Sequence, residues 1–195
     1  MRAAVLGSPI VHSLSPVLHL AAYRALGLPG WSYLAIECDA ARLPGLLAGC
    51  GPDWAGLSLT MPLKRAVLPL LDRADPLVTE VGAANTVTFA GAARHGHNTD
   101  VAGITTALAR AVTAAGPLPA PALILGGGAT ACSALAALRS LGGGEATVAV
   151  RDPDAASGRE PSLEVDNGHS LPLDEWLTDD RLAQLVHEPE GLGDV

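Results

Sequence analysis

Aromatic side chains are scarce in this chain: one Phe, two Tyr and three Trp among 195 residues. That is too few flat rings for a base-stacking platform, so a single-stranded nucleic-acid surface is not expected. Positive charge is short as well. Twelve Lys and Arg against twenty Asp and Glu leave a net charge of −8, which opposes binding to a phosphate backbone. No apolar run is long enough to cross a bilayer. The N-terminus meets Gly7, Ser8 and Pro9 before a signal-peptide core could form, and a cytoplasmic address is therefore expected. The three cysteines, Cys38, Cys50 and Cys132, have neither disulfide nor metal-ligand spacing and read as small buried hydrophobes. No metal site is expected from the histidines. His12 and His19 share no spacing with a third ligand, while His95 and His97 alternate along a strand, and all four read as structural or solvent-facing.

What the chain does have is 49% apolar residues, mostly Ala, Leu and Val, and only 16% charged ones. That composition suits helices packed closely on a sheet. Residues 3–6 read as a buried strand; Ser15 and Pro16 then open a helix that runs to Leu26 and stops at Gly27. Residues 31–38 read as a strand, 43–48 as a short helix and 56–59 as another strand, with Pro62 opening the next helix. This β-α-β-α-β-α order predicts an open, mostly parallel sheet with helices on its faces. Residues 86–89 and the stretch ending near His97 predict a hairpin around Gly91. A helix follows over 99–112, with Val101, Ile104, Leu108 and Val112 at helical spacing. The Pro- and Gly-rich run over 116–121 then marks a boundary.

Beyond it, residues 122–125 predict a strand, 126–128 a glycine turn, 129–141 a helix and 146–150 a second strand. Further on, where the pattern weakens, a strand over 163–165 and an amphipathic helix over 174–186 are expected. Gly126-Gly127-Gly128-Ala129-Thr130-Ala131 fits the G-x-G-x-x-[G/A] turn that seats a pyrophosphate on a helix N-terminus, although an ordinary strand-to-helix turn would also explain it. Arg151, just past the second strand, suits the 2′-phosphate of NADP; Asp152 beside it suits NAD, the less favoured cofactor. The fold class is thus α/β, an open sheet joined to a partial Rossmann-like unit, divided at 1–116 and 117–195.

Polar clusters fall where strands end or helices begin: Ser13-Leu14-Ser15, Thr60 to Lys64, Gly82 to Thr86, and Asn98-Thr99-Asp100. Such ends gather at one edge of an open α/β sheet, where ligands bind. Simpler roles stand beside this one: Ser15 and Asp100 could be helix caps, and Lys64 a solvated lysine, although a lysine in a helix's first turn opposes the macrodipole.

The run Gly7-Ser8-Pro9-Ile10-Val11-His12-Ser13-Leu14-Ser15-Pro16 resembles the opening signature of shikimate dehydrogenases, and the later clusters follow in the same order up to Arg151. The resemblance implies an NADP-dependent enzyme that interconverts shikimate and 3-dehydroshikimate in the route to chorismate and the aromatic amino acids. It implies that Ser13 and Ser15 hold the substrate carboxylate, that Thr60, Asn85 and Asp100 bind ring hydroxyls, and that Lys64 and Asp100 form the catalytic pair. Gly126 to Ala131 and Arg151 would hold NADP. An NAD-dependent quinate/shikimate dehydrogenase and a non-catalytic shikimate-binding module are the alternatives. Family members run well beyond this length, and their later strands and closing helix have no counterpart after Arg151. A half-built sheet with uncovered apolar faces is therefore expected, and with it a homodimer.

Overall fold

The computed structural model describes residues 1–115, 122–143, 146–150 and 170–172. The expected strand over 163–165, the helix over 174–186, Arg151 and Asp152 lie outside them. β1 (Arg2–Gly7) is buried from Ala3 onward, with Ala3 and Val5 on one face and Ala4 and Leu6 on the other. A run that is apolar on both faces belongs at the middle of a sheet. It pairs in parallel with β2 (Ser32–Glu37) and with β3 (Trp54–Leu59), reached through α1 (Ser15–Ala25) and α2 (Leu43–Ala48).

The sheet departs from a purely parallel plan beyond β3. β5 (Thr86–Ala90) and β6 (Ala93–His97) form the expected antiparallel hairpin, and β5 pairs antiparallel with β3. A two-residue edge strand, β4 (Arg73–Ala74), pairs in parallel with β6, giving the order β2-β1-β3-β5-β6-β4. The short helices α3 (Leu63–Ala66) and α4 (Pro76–Val81) complete this part. Pro62 precedes α3 rather than occupying its first turn, and α3 is only four residues long.

The main core packs Ala4, Leu6, Leu57, Leu59 and Val87 of the sheet against Leu43 and Leu47 of α2 and against Leu63, Val67 and Val78. On the opposite face α1 lays Leu20 and Tyr23 over Ala3, Val5 and Tyr33. Val17 and Leu18 of α1 stay exposed, as do Val11 and Leu14 before it.

The second unit has β7 (Ala122–Leu125), α6 (Ala129–Ser140), β8 (Ala146–Val150) and β9 (Ser170–Pro172), with a parallel order β7-β8-β9. This is the order of the first half of a dinucleotide-binding sheet. α5 (Asp100–Ala115) connects the units, and a second core joins Val81, Ala83 and Val101 to Cys132, Ala136 and Ala137 of α6. Asn98, nearly fully buried, ties them further. Its amide donates to the Ala83 carbonyl at 3.0 Å and to Ser133 Oγ at 3.2 Å, while its Oδ1 accepts the Val101 N–H at 3.3 Å.

Candidate active site

The carboxyl ends of β1 and β3 and the ends of β5 and β6 border a cavity of about 550 Å³. Ser13, Ser15, Thr60, Lys64, Asn85 and Asp100, the residues expected to hold a ring acid, all line it. A second cavity of about 710 Å³ lies beside it, between Met61 and Arg65 on one wall and Gly126, Gly128, Ala129, Thr130 and Ala131 on the other. Gly127 belongs to the same turn without lining that wall. Thr60 and Lys64 line both spaces.

Lys64 stands at the junction. Its Nζ donates to Asp100 Oδ2 at 2.6 Å and to Thr130 Oγ1 at 3.1 Å, so a single ammonium touches both units. Lys64 is also the only lysine of the chain. Asp100 accepts a second bond, from Asn85 Nδ2 to Oδ1, again at 2.6 Å. The Asn85 amide can face only one way: its Oδ1 accepts the backbone N–H of Thr99 at 3.0 Å, which leaves its NH₂ for the carboxylate. With its lysine and aspartate side chains only 16% and 23% exposed, this pair is sheltered while still open to a ligand.

The possibility that Asp100 merely caps α5 is answered by Asn98, whose Oδ1 takes the Val101 N–H and frees the Asp100 carboxylate. Ser15 is corrected in the same sense. It lies within the first turn of α1 and does not cap it; Ser13 Oγ accepts the Ser15 N–H at 3.3 Å. The Tyr33 phenol nearby donates to Ser58 Oγ at 2.8 Å. Burial pushes that phenol above its usual range.

His12 and His19, read from sequence as structural or solvent-facing, both line the cavity. The His19 ring stacks on Tyr33 at 3.9 Å between centroids, and its Nδ1 lies 2.9 Å from the Ser15 carbonyl. Thr86 and Thr99, members of the expected polar clusters, also line the cavity, and Ser58 is a lining residue that the sequence pattern does not single out. Strand alternation is the signal that could find Ser58, because it points to the same side as Thr60, two positions on.

Close packing holds the loop before α1. A Cβ on Gly7 would collide with the Thr60 methyl, so only glycine allows β1 to lie directly under Thr60. Glu37 accepts the Ile10 N–H at 2.9 Å and a bond from Ser8, and these donors hold its carboxyl below the usual range.

The groove beside α6 fits a dinucleotide diphosphate. Gly126 has φ +99°, a conformation that L side chains rarely adopt, and a Cβ at Gly126 or Gly128 would enter open space. The first amides of a helix lack an intrahelical acceptor; in α6 the Ala131 N–H bonds the Gly128 carbonyl at 3.0 Å, which leaves those of Ala129 and Thr130 to meet phosphate oxygens.

Residues 5–87 match the shikimate dehydrogenase substrate binding domain. The shikimate dehydrogenase (NADP(+)) of Citrifermentans bemidjiense is 42% identical over 154 residues, covering 78% of this chain and 52% of that protein. A crystal structure of Mycobacterium tuberculosis shikimate dehydrogenase superposes with a TM-score of 0.71 at 46% identity, over 80% of this chain and 57% of that one. The Thermus thermophilus enzyme, solved with NADP(H) and shikimate, gives a TM-score of 0.74 at 38% identity, over 90% and 64%. The chain spans about half the length of the relatives whose sequences it matches. Within that span, both units resemble shikimate dehydrogenases in sequence and in fold.

Proposed function

We propose that the chain binds shikimate in the 550 Å³ cavity and NADP in the adjoining groove, and interconverts shikimate with 3-dehydroshikimate. The observation that carries this reading is the Lys64–Asp100 pair, 2.6 Å apart, with Lys64 on the wall common to both spaces. Ser13 and Ser15 donate to the substrate carboxylate, and Thr60 and Asn85 hold ring hydroxyls. In the reducing direction the ammonium of Lys64 gives a proton to the oxygen on which negative charge develops; in the oxidising direction the lysine takes it back. Asp100 fixes that ammonium in place. When bound, the nicotinamide supplies the hydride chemistry.

Residues 1–116 act as the substrate domain and 117–195 as part of the NADP-binding domain, with Gly126 to Ala131 seating the diphosphate and Arg151 reading the 2′-phosphate. Among the described residues no helix is long and apolar enough to cross a membrane, and we place the protein in the cytoplasm. A homodimer is the assembly we expect, supported by the exposed Val11, Leu14, Val17 and Leu18.

The test is shikimate-dependent reduction of NADP by the purified chain, with shikimate binding followed by calorimetry. Lys64→Ala should lower turnover on the order of 10²- to 10⁴-fold while shikimate still binds. Undiminished turnover in that variant refutes the role of Lys64. Shikimate binding with no NADP reduction by the unaltered chain would make it a binding module instead.

A further inference from the structure

On the sheet face that carries Thr86, beyond the substrate cavity, β6 and the end of β4 bring three metal-binding side chains together. Asp75 Oδ1 lies 3.0 Å from His95 Nε2, and Asp75 Oδ2 lies 2.7 Å from His97 Nδ1. The two rings are 4.4 Å apart between centroids, and one ligand atom from each residue falls within a 4.8 Å span. None of the three lines either cavity. We propose that Asp75, His95 and His97 form a binding site for a divalent transition metal of the zinc class.

Several features support the assignment. Two imidazoles and one carboxylate are a donor set that zinc accepts, with bonds of about 2.0–2.2 Å. Tetrahedral bonds of that length separate neighbouring ligand atoms by roughly 3.3 Å, between the 2.7 and 3.0 Å Asp–His contacts and the 4.8 Å span of the set, so an ion enters by drawing the same side chains into a slightly different arrangement. His97 Nε2 lies 2.8 Å from Thr88 Oγ1. Such an outer contact orients a ligating ring and leaves the other nitrogen for the ion. The backbone prepares the site too. Residues 95 and 97 share one face of β6, and Asp75 is held alongside by its N–H bond to the Gly96 carbonyl at 3.0 Å. The side chains of Asp75, His95 and His97 are 41%, 37% and 25% exposed, so water can complete the coordination. A bound ion would pin the two-residue edge strand β4 and the start of α4 to β6.

The experiment uses the untagged full chain, stripped with chelator and titrated with zinc chloride by calorimetry. One ion per chain is expected, with a thermal midpoint that rises as zinc is added. His97→Gln should weaken binding by at least about 100-fold, and Thr88→Val, which leaves all three ligands in place, by about tenfold. Cobalt(II) bound to the unaltered chain should show visible bands of a four-coordinate N/O site without thiolate-to-metal absorption. Absence of saturable zinc binding, an unchanged affinity in folded His97→Gln protein, or a thiolate band would each overturn the proposal.

Discussion

Asp100→Asn is a small change in shape and a large one in bonding. The carboxylate is an acceptor at both oxygens, and both of its partners are donors: Lys64 Nζ at 2.6 Å and Asn85 Nδ2 at 2.6 Å. An amide has one acceptor and one NH₂ group. Whichever way it turns, one donor faces another donor. Asn85 cannot rotate to help, because its Oδ1 holds the Thr99 N–H at 3.0 Å. The variant loses a charge-assisted bond, about 1.5–3 kcal/mol, and leaves a donor unsatisfied, about 1–3 kcal/mol. Side-chain exposures of 16% and 23% let water recover part of this, so we expect a net destabilisation of about 3 kcal/mol. Lys64→Met in the same background removes the clash, since the oxygen of the introduced amide can then accept from Asn85 and its NH₂ meets no donor. Urea unfolding of the two single variants and the double variant should show coupling of about 1.5–2 kcal/mol. Additivity to within about 0.5 kcal/mol would refute the reasoning.

Ser13→Ala and Ser15→Ala should each weaken shikimate binding about tenfold, as loss of one hydrogen bond to a charged group would. Only Ser13→Ala should also lower the unfolding free energy, by about 1 kcal/mol, because Ser13 supplies the acceptor at the start of α1. Gly126→Ala should cost roughly 1–2 kcal/mol through its φ of +99° and weaken NADPH binding, read by urea unfolding and by fluorescence titration. The Glu37 carboxyl is held below its ordinary value of 4.5 by Ser8 and Ile10, so its contribution is complete above about pH 4.5 and is lost as the pH falls through the lower folded value. The advantage of the native chain over Glu37→Gln should therefore shrink in acid. A difference in urea midpoint that stays constant with pH would show that these bonds do not set it.

Much of this molecule is legible from punctuation in its sequence. α2 falls on residues 43–48 as expected, and β7, the glycine turn and α6 lie between clear breakers. The polar clusters are informative because chain ends at one sheet edge converge whatever the details of packing. β4 is invisible because two residues carry no periodicity, whereas α4 is bracketed by Asp75-Pro76 and Gly82, the kind of punctuation that marks α2, and could have been read from it. Without β4, the grouping of Asp75 with His95 and His97 is hidden too, because the histidines lie twenty residues farther along and meet it only through strand pairing. The capping exchanges are equally hidden. Both Ser13 and Asn98 take the role that a propensity argument gives to Ser15 and Asp100, two positions later. Choosing between neighbouring polar residues needs the local path of the backbone. Thr130 carries no signal beyond its place in the glycine motif, yet its hydroxyl meets Lys64 across the two units.

That contact sets a proton inventory. An ammonium has three hydrogens; Asp100 and Thr130 engage one each, and one remains for a ligand oxygen. If the two units move apart, the hydrogen held by Thr130 is released to solvent and the lysine loses its reference point on α6. Any breathing motion between the units is thereby written into the donor count at the reacting oxygen. Because the chain has a single lysine, all of its side-chain amine chemistry reports on that one contact. The acylation rate of that side chain therefore reflects its ion pair with Asp100 together with its contact to Thr130.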